Sequence, residues 1–245
     1  MKKIYAILGA TGSIGKTLAK ELTTAGHTVV AGVRNPAKAA GLDELIDTDI
    51  QEVDTDSWSS VDSFFGELNQ RHGRLDGFAV CVGSILLKPA HLTTPEEFES
   101  VINKNLKPCC AAIRSSAKLM MKNGGSIVFV SSAAGRQGLP NHDAIAAAKA
   151  GIQGLTLSCA ATYASYGIRV NCVAPGLVDS EMSQPIIQNA HSLKASQAMH
   201  PLGRIGRPSD VAQAIAWLLS SNQSWITGQI IGVDGGLANL VSKKR

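Results

Sequence analysis

The chain has 245 residues, enough for one large α/β domain, and its 44% hydrophobic and 17% charged residues, without low-complexity tract or internal repeat, exclude a disordered or fibrous protein. The net charge of +4 is scattered apart from Lys243-Lys244-Arg245, which reads as a solvated tail, and the 4% aromatic content offers few stacking platforms, so no nucleic-acid partner is expected. Cys81, Cys109, Cys110, Cys159 and Cys172 form no C-x-x-C pair and no His/Cys set at zinc-ligand spacing; no metal is expected, and the thiols read as buried small hydrophobes of a reducing cytoplasm.

Met1-Lys2-Lys3 and the apolar residues after it have the look of a signal peptide, but glycines interrupt the run after Leu8. Ile4–Gly9 is therefore predicted as a first strand, and no stretch approaches the ~20 apolar residues of a membrane span, so no membrane partner is expected. Further strands are predicted at Thr28–Val33, Gln51–Asp54, Gly77–Val82, Ser126–Ser131, Ile168–Val173 and Gln229–Val233. Helical patterns lie between them, at Ile14–Ala25, Ser57–Arg71, Pro95–Lys122, Asp143–Tyr166 and Ser209–Ser220. Thr94-Pro95-Glu96-Glu97 is a helix start in which Thr94 and Glu97 cap each other, and Pro108 should kink that helix near Asn105. Ser183–His200 lacks strong caps and a core pattern and reads as a mobile helical lid over a substrate. The alternation predicts a doubly wound Rossmann fold over residues 1–245, about seven mostly parallel strands with helices on both faces.

The first strand leads into Gly9-Ala10-Thr11-Gly12-Ser13-Ile14-Gly15 and then a helix. Glycines there let backbone N–H groups approach a pyrophosphate, and the helix N-terminus adds positive potential, so this turn is expected to bind a dinucleotide. At the end of the second strand no acid is present to hold ribose hydroxyls; Arg34 followed by Asn35 stands there instead. A guanidinium holds a 2′-phosphate by paired hydrogen bonds, which favours NADP(H) over NAD(H). Asp54 and Thr55 either contact adenine or simply end the third strand.

Several later segments make the chain resemble the short-chain dehydrogenase/reductase family from Ile4 to about Leu237. Gly125-Ser126-Ile127-Val128-Phe129-Val130-Ser131-Ser132 is similar to that family's fifth strand, and Asn171-Cys172-Val173-Ala174-Pro175-Gly176 to its sixth. Gly203-Arg204-Ile205-Gly206-Arg207-Pro208, Thr227-Gly228-Gln229 and Val233-Asp234-Gly235-Gly236 match its C-terminal pattern. The resemblance implies an oxidoreductase of a small-molecule carbonyl or activated alkene, in a homo-oligomer (dimer or tetramer). It implies cofactor contacts at Val82, Gly83, Pro175, Gly176, Val178 and Ser180. It also makes Ser132 the substrate-orienting serine, Lys149 the ribose-binding lysine and Asn105 the anchor of a relay water.

The family's proton-donating tyrosine is missing. It stands four residues before the lysine and thirteen after the serine, and both positions here are Ile145. The family's Asn-Asn-Ala-Gly reads Val80-Cys81-Val82-Gly83. General acid help is typically worth ~10²–10⁴ in rate, so another donor is needed for ordinary ketone chemistry. His142, seven residues before Lys149 where the family's enoyl reductases carry their tyrosine, is a candidate acid or else a solvated helix-start residue. Ser132 and Asn105 have structural readings as well, as a strand-end serine and the filler of a kinked helix. The alternative to an altered reductase is a catalytically silent dinucleotide-binding protein, a sensor or inactive partner subunit.

Overall fold

Short segments rich in Val, Ile and Ala fit a sheet buried on both faces, because successive side chains point to opposite sides and both sides are apolar here. The computed structural model describes residues 2–42 and 44–241; Met1 and the Lys243-Lys244-Arg245 tail lie outside the described residues. Seven strands, β1 (Ile4–Leu8), β2 (Thr28–Val33), β3 (Thr48–Glu52), β4 (Gly77–Val80), β5 (Gly125–Val130), β6 (Ile168–Pro175) and β7 (Ile230–Val233), form one sheet in the order β3-β2-β1-β4-β5-β6-β7. Every pairing is parallel. The chain winds outward in one direction from β1 and in the other from β4, so a crevice opens at the C-terminal ends of those two neighbours.

Helix α1 (Ser13–Thr24) and the late helix Pro208–Leu219 cover one face, where Ile7, Val29, Val128, Leu18 and Ile215 form a fully buried core. The other face carries α2 (Trp58–His72) and three helices that follow it: α3 (Pro95–Asn105), α4 (Lys107–Met120) and α5 (Asp143–Tyr163). Its core is aromatic, with Phe64, Phe65, Phe78 and Phe129 in successive edge-to-face contacts at 5.2, 5.5 and 6.4 Å between ring centres. A third, smaller cluster of Val101, Ala144, Ile145 and Ala148 joins α3 to α5.

The structure corrects three expectations. The third strand starts at Thr48 and ends at Glu52, not Gln51–Asp54, because its register is set by pairing Thr48 through Glu52 with Val29 through Val33. The predicted helix Pro95–Lys122 is two helices broken at Leu106, where Pro108 has no N–H to continue the ladder and Cys109 N–H turns back to the Leu106 carbonyl at 3.1 Å. Residues Asp143–Tyr166 are long and apolar enough by composition to cross a membrane, contrary to the sequence reading. In the fold this helix packs on β6, with Ile152 and Thr156 fully buried. Ser183–His200 does contain helices, α6 (Gln184–Ile187) and α7 (Ala190–Met199), and Pro208–Leu219 is α8.

The predicted capping box at α3 is present, with Glu97 N–H donating to Thr94 Oγ1 at 3.3 Å and Thr94 N–H to Glu97 Oε2 at 2.9 Å. Thr94→Ala is expected to lower unfolding free energy by about 1 kcal/mol, measured by urea denaturation with an unchanged slope.

Candidate active site

The turn after β1 is held tight against β2: Gly9 and Ala10 N–H both donate to the Gly32 carbonyl, at 3.0 and 3.1 Å. Gly9 has φ +83°, which L side chains rarely adopt, and a Cβ on Gly15 would run into the Gly9 carbonyl oxygen. Gly12 stands at the N-cap of α1 and no side chain caps the helix, so the N–H groups of Ser13, Ile14 and Gly15 face the crevice unsatisfied by the helix itself. This arrangement fits an anionic diphosphate.

Across the crevice the cleft continues between β4 and β6. A hollow of about 270 Å³ is bounded by Gly12, Ser13 and Ile14, by Val82 and Gly83, and by Pro175, Gly176, Val178 and Ser180. Ser132, Ile145 and Lys149 lie in the same wall. Gly83 makes the convergence possible, since a Cβ there would stand 2.8 Å from Asn105 Oδ1 and 3.4 Å from Lys149 Nζ.

Lys149 is 8% exposed, and its Nζ donates to the Val130 carbonyl at 3.1 Å; no ion pair to it is present among the described residues. Burial holds this ammonium below the usual lysine pKa. The Lys149 carbonyl accepts from Ser131 Oγ at 2.7 Å, and Gln153 Nε2 donates to that same hydroxyl oxygen at 3.0 Å, which ties α5 to the end of β5. A buried cation with a single carbonyl partner is open to further oxygen acceptors, as a ribose would supply.

Ser132 Oγ accepts from Ala134 N–H at 3.1 Å, so the strand-end role read from sequence is realised, and its own hydrogen is available to the cleft. Asn105, 1% exposed, accepts from Ser84 N–H at 3.2 Å and donates to Ser84 Oγ at 3.0 Å and to the Val101 carbonyl at 2.9 Å. It therefore pins the loop after β4 against the broken helix. Ser180 is engaged in a turn of its own: its N–H donates to Ser183 Oγ at 3.0 Å.

Arg34 is exposed at the end of β2 and forms a loose ion pair with Asp56 at 3.8 Å. Asn35 accepts from Ala37 N–H at 3.0 Å, and Asp54 Oδ1 from Asp56 N–H at 3.0 Å, so both side chains also close turns. Thr55 is buried beside them and Thr11 is exposed. Gly9, Thr11, Gly15, Arg34, Asn35, Asp54, Thr55 and Asn105 do not line this hollow.

A second hollow of about 210 Å³ adjoins the first, sharing Ile85, Ser132, Ile145, Gly176 and Leu177 with it. His142 lines it, half-buried, with Nδ1 2.7 Å from the Pro140 carbonyl. That carbonyl can only accept, so Nδ1 carries a hydrogen and Nε2 is the atom free to exchange a proton.

Three residues here escaped the sequence reading. His200, 4% exposed, closes the second hollow: Nδ1 donates to the Ser196 carbonyl at 2.6 Å and Nε2 accepts from Leu177 N–H at 3.2 Å. Glu181 lines the larger hollow from the segment after β6. Cys81, expected as an inert core residue, is only half-buried and borders the cleft, although burial still pushes its thiol up to about 12. Cys110 is half-buried as well.

A family profile described as enoyl-(acyl carrier protein) reductase matches residues 9–238. The chain is 36% identical to the 3-oxoacyl-(acyl-carrier-protein) reductase FabG of Thermotoga maritima, over 96% of this chain and 97% of that one. It is 33% identical to carbonyl reductase family member 4 of Danio rerio, covering 98% and 100%. Among solved structures, ElxO with NADP bound superposes with a TM-score of 0.92 at 28% identity, over 98% of this chain and 100% of that one.

The buried lysine gives a signed prediction. Its pKa is lower folded than unfolded, so the cost of its charge is fully present below the folded value and vanishes as pH rises to the unfolded value of ~10.4. Lys149→Met should therefore raise the melting temperature of the cofactor-free protein at neutral pH, with the gain shrinking toward that upper pH, while weakening dinucleotide binding. Thermal unfolding across pH, with and without nucleotide, reads both effects.

Proposed function

Since the chain belongs to the short-chain dehydrogenase/reductase family of NAD(P)-dependent oxidoreductases, we propose that it is an NADP(H)-dependent reductase of a small or medium carbonyl or activated alkene with a non-standard proton donor. One observation carries this reading: the uncapped N-terminus of α1, the buried Lys149 ammonium and the Ser132 hydroxyl border one cleft. When bound there, the nicotinamide supplies or accepts a hydride.

The residues divide the work. Ser13, Ile14 and Gly15 N–H groups hold the pyrophosphate, with Gly9, Thr11 and Gly12 shaping the turn. Lys149 holds ribose oxygens, and Val82, Gly83, Pro175, Gly176, Val178 and Ser180 wall the nicotinamide half. Asp54 and Thr55 flank the adenine end. Ser132 donates a hydrogen bond to the substrate oxygen, and Asn105 acts as a positioning residue through Ser84. His142, which lines the substrate hollow, is through its Nε2 the proton donor in place of the family tyrosine, whose position by spacing is Ile145. The segment 183–200 forms the far wall of that hollow through Ile186, Ser196, Met199 and His200, which supports its reading as a substrate lid within a single domain.

The packing of Ile145 with Val101, Ala144 and Ala148 favours a second reading, a silent dinucleotide-binding subunit in which this position has become core. Substrate turnover separates the two: NADPH consumption with a panel of ketones and enoyl thioesters supports the reductase, whereas intact binding with no turnover supports the silent subunit. β7 is the last strand of the sheet, with no further strand on it among the described residues; that edge, and separately the almost fully exposed Trp225, support self-association into a homo-oligomer, and five free thiols suit the reducing cytoplasm.

Arg34 supports the choice of NADP(H), because its ion pair with Asp56 is long and exposed and yields readily to a doubly charged phosphate. Arg34→Ala is expected to weaken NADPH binding by about 10–100-fold, a charged hydrogen-bond loss of ~1.5–3 kcal/mol, and to leave NADH binding nearly unchanged. Fluorescence titration with both nucleotides measures it; equal loss for both would contradict the assignment.

A further inference from the structure

Asn105 is 1% exposed where α3 gives way to α4, and both hydrogens of its amide are accounted for within the protein. The Val101 carbonyl can only accept and the Ser84 N–H can only donate, so Nδ2 faces the first at 2.9 Å and Oδ1 the second at 3.2 Å. The remaining Nδ2 hydrogen goes to Ser84 Oγ at 3.0 Å. Asn105 therefore has no amide hydrogen left to offer a water or a ligand.

The constraint passes to Ser84. Because its oxygen receives a hydrogen from Asn105, the hydroxyl must turn its own hydrogen away from the amide, and no acceptor for that hydrogen is present among the described residues. Ser84 is half-buried and lines the hollow of about 270 Å³ together with Lys149. The two approach the same corner of it: a Cβ on Gly83, the residue before Ser84, would stand 3.4 Å from Lys149 Nζ. An ammonium carries three N–H donors, and Lys149 gives one of them to the Val130 carbonyl. What these two side chains leave open is thus donors alone, two on the ammonium and one on the hydroxyl.

We propose that Ser84 is a ligand-contacting residue of the nucleotide cleft, whose hydroxyl donates to an oxygen of the ribose held by Lys149, and that Asn105 is the positioning residue that fixes the direction of that hydrogen. A hydroxyl oxygen has two lone pairs, so one ribose oxygen can accept from Lys149 and from Ser84 at once. The structural role of Asn105, pinning the loop after β4, and its functional role are then the same set of hydrogen bonds: the amide that holds the loop also orients the donor. The proposal rests on the dinucleotide reading above.

Calorimetric titration of the wild type, Ser84→Ala and Ser84→Cys with three probes tests it. NADPH is the whole ligand; 2′-phospho-ADP-ribose lacks the nicotinamide ring; 2′-phospho-ADP lacks the second ribose as well and keeps the diphosphate. Both variants should bind the first two probes about 3–10-fold more weakly than the wild type, the share of one neutral hydrogen bond, and should bind 2′-phospho-ADP with unchanged affinity. Ser84→Cys keeps a weak sulfur acceptor for Asn105 while losing the strong donor, so it decides the matter should Ser84→Ala fail to fold. An equal loss for 2′-phospho-ADP would mean that Ser84 only shapes the cleft, and unchanged binding of all three probes would mean that it makes no contact; either overturns the proposal. Loss confined to NADPH would put the contact on the nicotinamide ring and overturn the ribose assignment. A folded wild type that binds none of the three overturns the dinucleotide reading instead.

Discussion

A lysine ammonium removed from water without a counter-ion costs several kcal/mol, and a fold retains one only where something else compensates. Lys149 is such a group: almost fully buried, with one backbone carbonyl as its protein partner. Much of the C-terminal edge of the sheet is arranged around it. The Ser131 hydroxyl fixes the backbone of α5 at that residue, Gly83 leaves the space its Nζ occupies, and Asn105 closes the far side of the same space. The hydrogen bonds that the protein leaves open at Lys149 suit a polyhydroxyl ligand.

The uncapped start of α1 is the matching half. A positive helix end with three unsatisfied N–H groups and a cation on the opposite side of one crevice favour a ligand that is anionic in its middle and rich in hydroxyls beside it. Both halves sit at the switch point between β1 and β4, which follows from the strand order alone. Larger hollows elsewhere lack this pairing. The one of about 480 Å³ at the other end of the strands has its Arg169 guanidinium spent on the carbonyls of Leu218, Ser220 and Ile226.

Much of this was legible in the sequence because it is local. The glycine turn, the Thr94 capping box and the Pro108 break each involve residues within a few positions of one another, and strand periodicity located β1, β2, β4, β5, β6 and β7. β3 was misplaced because Thr48 and Asp49 look like loop residues; only pairing with β2 makes them strand. His200 was invisible for a similar reason. Its partners are backbone atoms of Leu177 and Ser196, and nothing in the surrounding sequence marks the imidazole as buried. Ile145 was found by counting along the resemblance, yet counting does not show that it belongs to a packed cluster with α3 as well as to the cleft wall. One side chain thus serves both as core and as cleft wall.

The most direct measurement is a crystal structure of the protein grown with NADPH. The account predicts the pyrophosphate within hydrogen-bonding distance of the Ser13, Ile14 and Gly15 amides, and a ribose hydroxyl on Lys149 Nζ beside its bond to the Val130 carbonyl. A nucleotide bound away from that crevice, or one that leaves Lys149 with the carbonyl as its single partner, would contradict it.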